Sequence, residues 1–214
     1  MFCCPFENYY REAPVYSYVR LLHTSPKTPP VDVYLDGKKI INNLAYNKFT
    51  EYQKLKTGTH NVKLYVRGDT RKPILNKNLN VPSGKILTIA AINTYPNVNL
   101  QAINEPVGPI MRNKSLIKLV HLSPNSPSVD LALKNGTSLF KNVSYTQGTD
   151  YIPLNPSDYN FEVKASGSNK VVLYVPNIRL IGNRFYSFYV TGLLGERPPL
   201  TALIPLDGNS YLKF

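Results

Sequence analysis

Tyr18-Val19-Arg20-Leu21-Leu22-His23-Thr24-Ser25-Pro26-Lys27-Thr28-Pro29-Pro30-Val31-Asp32-Val33-Tyr34-Leu35 returns later in the chain as Leu116-Ile117-Lys118-Leu119-Val120-His121-Leu122-Ser123-Pro124-Asn125-Ser126-Pro127-Ser128-Val129-Asp130-Leu131-Ala132-Leu133. His23, Ser25, Pro26, Pro29, Val31, Asp32 and Leu35 match at an offset of 98 residues. The match continues at an offset of 99 through Asn43/Asn142, Tyr46/Tyr145, Thr50/Thr149, Tyr52/Tyr151, Leu55/Leu154 and Asn61/Asn160. Solenoid repeats have periods of about 20–50 residues, so a period this long marks two whole domains. The expected organisation is a tail over 1–15, a first repeat over 16–110 and a second over 111–214.

Each repeat reads as β. Short runs rich in β-branched and aromatic residues cover Tyr18–Leu22, Val31–Leu35, His60–Val66, Ile86–Ala91 and Leu100–Ile103. Their counterparts are Leu116–His121, Val129–Leu133, Tyr159–Ala165, Tyr186–Thr191 and Leu200–Ile204. Asp36-Gly37, Asn135-Gly136, Thr57-Gly58, Ser83-Gly84 and Gly182-Asn183 punctuate them with turn chemistry. Pro26, Pro29, Pro124 and Pro127 fall between runs, where a missing N–H costs no ladder bond. About seven short strands per repeat without helical periodicity predict an all-β chain of two tandem Greek-key sandwiches, immunoglobulin-like or transthyretin-like, behind a short extended tail.

The pattern His-x-Ser-Pro-x-x-Pro-x-Val-Asp, preceded by an apolar strand and followed by Asn43-Leu44-Ala45-Tyr46, resembles the bacterial domain-of-unknown-function 4397 family. The likeness covers both repeats, over most of residues 18–204. It implies envelope-associated sandwich domains without an assigned activity.

Composition narrows the function. The 214 residues carry 25 Lys+Arg against 13 Asp+Glu, a net charge of +12. Of this, residues 16–110 hold 13 basic against 5 acidic side chains, and residues 111–214 hold 11 against 6. A diffuse positive field of this kind suits a polyanionic partner. Lys38, Lys39, Arg67, Arg71 and Lys72 are the candidate contacts for an anionic glycan. Nucleic acid would want basic residues interleaved with exposed aromatics; Tyr46, Tyr52 and Tyr65 lie near, but Tyr46 and Tyr52 recur in the less basic repeat, so no specific nucleic-acid partner is expected. No run approaches the roughly 18 apolar residues of a membrane span. Residues 1–12 carry neither the basic nor the apolar region of an ordinary secretory signal.

The chemistry-bearing candidates are few. His23/Asp32 and His121/Asp130 are repeated pairs nine residues apart, readable as a base with its orienting carboxylate or as partners for the orphan backbone groups of a turn. Ser25 and Ser123 lie two residues beyond each His, but no nucleophile elbow or oxyanion group accompanies them, and an enzyme is not expected. No metal or cofactor motif occurs, and Glu105 and Asp207 are too isolated for a calcium site at the domain junction. Adjacent Cys3 and Cys4 cannot easily bond each other, because their Cα atoms lie about 3.8 Å apart where disulfides want about 5.5 Å. With Phe6, Tyr9 and Tyr10 they form a candidate assembly tail, cross-linking the chain to its own copies or to other surface proteins. These features predict a non-enzymatic structural protein of a spore or cell surface, with a surface module binding an anionic glycan or a protein as the alternative.

Overall fold

The computed structural model describes residues 15–212. Cys3, Cys4, Phe6, Tyr9 and Tyr10 lie outside them. The first repeat contributes β1 (Tyr16–His23), β2 (Val31–Leu35), β3 (Lys38–Leu44), β4 (Gln53–Lys56), β5 (Gly58–Val66), β6 (Leu75–Val81), β7 (Ile86–Ile92) and β8 (Asn99–Glu105). The second contributes β9 (Ser115–His121), β10 (Val129–Leu133), β11 (Ser138–Val143), β12 (Ile152–Leu154), β13 (Ser157–Ala165), β14 (Val171–Leu180), β15 (Arg184–Thr191) and β16 (Thr201–Leu203), before a short 3₁₀ turn at Gly208–Ser210.

Each repeat is a sandwich of two four-stranded sheets. In the first, β4-β1-β7-β8 faces β3-β2-β5-β6; in the second, β12-β9-β15-β16 faces β11-β10-β13-β14. β1 runs parallel to β7 and β9 parallel to β15, so one sheet of each sandwich is mixed. Period-two alternation sends Val31, Val33, Val62 and Leu64 into the first core and Leu131, Phe161 and Val163 into the second.

The two sandwiches stack through their mixed sheets. Leu22, Ala90, Ile92 and Ile103 of the first pack with Val120, Leu122 and Tyr189 of the second. Consequently β7, β9 and most of β15 are buried along their whole length. Strands covered on both faces lose the inside–outside alternation and read as continuous apolar runs. Among the described residues, no helix is long and apolar enough to cross a membrane.

Candidate functional site

The repeated histidine and aspartate do not form a pair with each other. His23 Nε2 meets Pro29 O at 3.3 Å and His121 Nε2 meets Pro127 O at 3.0 Å. A carbonyl only accepts, so Nε2 carries the proton, and His121 Nδ1 in turn accepts from the Ser123 N–H. Burial holds both imidazoles below their ordinary pKa. Each ring thus ties together the loop that contains Pro26 or Pro124. Asp32 instead accepts from Asn43 N at 2.9 Å and Lys39 Nζ at 2.7 Å, and Asp130 accepts from Asn142 N at 2.7 Å. Asn43 and Asn142 have φ of 60° and 53°, so each carboxylate holds a left-handed asparagine at an irregularity in the β2–β3 or β10–β11 ladder. The serine hydroxyls point elsewhere: Ser25 Oγ to Asn93 O and Thr28, Ser123 Oγ to Ser126.

The other repeated polar residues meet between the sandwiches. Arg20 of β1 donates to Thr88 Oγ1 (2.7 Å), Leu206 O (2.9 Å) and Asp207 Oδ1 (3.1 Å), and lies 3.3 Å from Glu105 Oε1. Tyr52 O–H donates to Glu105, as does the Gly208 N–H at 2.8 Å; Tyr151 O–H and Ser187 O–H donate to Asp207 at 2.6 and 2.8 Å. Lys118, the counterpart of Arg20, donates to Asn104 O at 2.5 Å and stands 4.9 Å from the Tyr151 ring centre. Two cations and two carboxylates therefore share one buried junction, each sandwich holding part of the other. Burial, then the Glu105 charge, pushes the Asp207 carboxyl up to about 6, while burial pulls the Lys118 ammonium down. Glu105 and Asp207, distant in sequence, are brought to one guanidinium, which supplies their counter-charge. Among the described residues no group of three or more His, Cys, Asp or Glu side chains is placed to hold a metal.

The basic candidates are dispersed. Lys39 is bonded to Asp32, and Arg71 to Asp69 at 2.9 Å. Lys38 sits where β3 meets Leu35, whereas Arg67 donates its backbone N–H to Pro30 O beyond the other end of β2. Lys72 borders a hollow with Asp69 and the exposed Tyr95.

A different surface gathers aromatic, amide and cationic groups. On the outer face of the β3-β2-β5-β6 sheet, Tyr34 lies opposite Lys63, which lies opposite Asn76. Tyr65 packs against Tyr34 with ring centres 5.0 Å apart, and Asn61 donates to Asn76 and Asn78 at 2.9 and 3.0 Å. Lys39 stands 5.6 Å from the Tyr34 ring centre. The corresponding positions of the second sandwich are Ala132, Glu162 and Lys164, with Lys164 bonded to Glu162 at 3.2 Å. Sequence reasoning singled out neither Tyr34 nor Lys63. The usable signal was the alternation Asn61-x-Lys63-x-Tyr65 beside Asp32-x-Tyr34, which sends these residues away from the core.

The fold and the junction define a tandem β-sandwich protein whose repeats are locked face to face by a buried charge network. The chain belongs to the family described as Domain of unknown function (DUF4397), whose profile matches residues 17–132 and 115–210. No curated protein matches it. Among solved structures it is similar to the Bacillus anthracis TIE protein, at 11% identity and a TM-score of 0.27, over 84% of this chain and 34% of that one. It is also similar to a leucine-rich repeat protein from Bacteroides thetaiotaomicron, at 16% identity and a TM-score of 0.23, over 84% of this chain and 26% of that one. A candidate adhesin from Bacteroides ovatus follows at 11% identity and a TM-score of 0.20, over 92% and 97% of the two chains. This chain thus spans about a third of the Bacillus anthracis protein's length.

Proposed function

We propose that the protein is a non-catalytic binding module of a cell or spore surface, and that the outer face of β2, β5 and β6 contacts an anionic glycan. One observation carries this reading: Tyr34, Lys63 and Tyr65 stand where the second sandwich has Ala132, Glu162 and Lys164. Residues common to both repeats build the loops and the junction, so a difference between otherwise equivalent faces needs its own cause. Tyrosine offers an apolar ring face with a polar tip. Asn61, Asn76 and Asn78 supply amides for hydroxyls, and Lys63 supplies charge for an acidic substituent.

The test is retention on immobilised dextran sulfate, with dextran as the neutral control. Retention of the full chain is expected at low salt and should fall steeply as ionic strength approaches about 0.15 M, where the Debye length is about 8 Å. Lys63→Glu together with Tyr34→Ala should weaken binding more than tenfold, while Glu162→Ala should not. Equal retention of the Lys63/Tyr34 variant would remove the assignment. A structural role through assembly of copies rests on the sequence Cys3-Cys4 with Phe6, Tyr9 and Tyr10. Non-reducing electrophoresis of Cys3→Ser/Cys4→Ser beside the parent chain tests it: a cysteine-dependent ladder supports assembly, and a monomer in both refutes it.

A further inference from the structure

The junction is nearly two-fold in its residues but not in its access. Phe49 bridges to Leu22 in the first repeat, and Gly148 bridges to Val120 at the equivalent place in the second. The Phe49 ring covers Arg20, with 4.8 Å from the guanidinium carbon to the ring centre, and packs 5.9 Å from Tyr189. Gly148 has no side chain to do the same for Lys118. In its place a groove of about 470 Å³ opens between the sandwiches, bordered by Gln101, Asn104, Lys118, Gly148, Asp150 and Tyr151. That size falls within the roughly 300–1,000 Å³ of small-molecule sites.

Lys118 is the unusual member. It is only 3% exposed, yet among the described residues its ammonium donates a hydrogen bond only to Asn104 O. An ammonium has three N–H donors, and buried donors are normally satisfied. The nearby carboxylates are committed: Glu105, which also borders the groove, accepts from Tyr52, Thr88 and Gly208, and Asp207 accepts from Arg20, Tyr151 and Ser187. Asp150, exposed at the rim, is free to accept hydroxyl hydrogen bonds.

We infer that this groove is a second ligand site, separate from the outer face of the first sandwich, and that it takes a sugar residue bearing a carboxylate. The carboxylate receives the unspent Lys118 N–H groups. The ring hydroxyls meet Asp150, Gln101 and Asn104. A free inorganic anion would use Lys118 alone and leave the polar rim unused, whereas a hydroxylated acid engages both the ammonium and the rim.

The experiment is titration of the ¹⁵N-labelled full chain with glucuronate, and separately with glucose, following the Gly148 and Thr149 amides. Saturable shifts with glucuronate and none with glucose at the same concentration are expected. Gly148→Phe places in the second repeat the ring that the first already carries. A Cβ at Gly148 meets Val120 Cγ2 at 3.6 Å and Leu119 O at 4.0 Å, both ordinary contacts, so the backbone there accepts a side chain. It should weaken glucuronate at least tenfold, and Lys118→Met should do likewise. Lys63→Glu should leave these shifts unchanged, which separates this site from the outer face. The inference is overturned by absence of saturable shifts, by equal binding of glucose, or by a folded Gly148→Phe protein that binds as the parent does.

Discussion

Two residues show how narrowly the junction and its flanks are determined. Gly192 follows β15 with φ of +88°, and a Cβ there would stand 2.1 Å from Pro199 O. The obstacle is backbone, so it cannot swing aside, and the left-handed φ adds its own strain. Gly192→Ala should therefore lower unfolding stability by about 2–4 kcal/mol, in the range of a severe single substitution, readable as a shifted denaturant midpoint at unchanged slope. Asp207 makes a prediction in pH. Its carboxyl is held up at about 6 by burial and then by Glu105, whereas an unfolded aspartate titrates near about 3.9. The folded chain binds this proton before the unfolded chain does, so the contribution is complete below about pH 4 and is lost as pH rises through about 6. Against Asp207→Asn, the parent protein should gain stability as pH falls from about 6 towards 4. The difference between the two proteins isolates this group from His23 and His121, whose lowered pKa values act in the opposite sense. A parent-minus-variant difference that is flat across this window would contradict the assignment.

At the scale of elements, the tandem copy serves as an internal control for packing. The second core is one continuous cluster with Phe140, Phe161 and Phe188 at its centre. The first is split into a cluster around Val31, Val33, Val62 and Leu64 and another around Val19, Leu87 and Ile89. The three phenylalanines correspond to Ile41, Val62 and Ile89. An apolar slot of about 40 Å³ lies between the two sheets, bordered by Ile41, Val62, Val19 and Leu55. Ile41→Phe, which copies Phe140, should raise the stability of the first sandwich by about 0.5–2 kcal/mol through cavity filling, and its thermal midpoint should rise. A destabilised variant would mean that the β3 edge cannot accept the ring. The same comparison shows which strands were legible. Strands covered on one or both faces, such as β2, β5 and β7, announce themselves by alternation or by an apolar run. The short β4 and β12, and the polar β6 with Asn76, Asn78 and Asn80 facing outward, carry no hydrophobic signature because only their ladders place them. Likewise the duplication revealed that Tyr52/Tyr151 and Tyr46/Tyr145 matter, but not that they serve the junction. Tyr145 O–H donates to Asn93 of the other sandwich at 2.7 Å, a contact that exists only once the mixed sheets are stacked.

For the whole molecule, the junction decides whether two sandwiches behave as one body. Its apolar part buries Leu22, Ile92, Leu122 and Tyr189, and its polar part draws Asp207 of the second repeat onto Arg20 and Lys118 onto the backbone of the first. Arg20 is the hinge of this arrangement because Glu105 and Asp207 both depend on it. Removing one member of a buried ion pair leaves the other charge uncompensated and costs about 3–5 kcal/mol. Part of that loss falls on the contact between the sandwiches, through Leu206 and Asp207, and part on the first sandwich itself, through Thr88 and Glu105. In calorimetry the parent chain should unfold in a single transition, since neither sandwich can lose its mixed sheet without exposing the junction. Arg20→Met should separate the unfolding into two transitions. The first sandwich, with its divided core, should melt below the second, whose phenylalanine cluster is continuous. Because the network is buried, the separation should persist at high salt, where exposed pairs such as Lys27–Glu196 are screened. A single transition merely displaced to lower temperature would show that the apolar contacts alone couple the sandwiches. Arg20 would then contribute to stability without holding the two together.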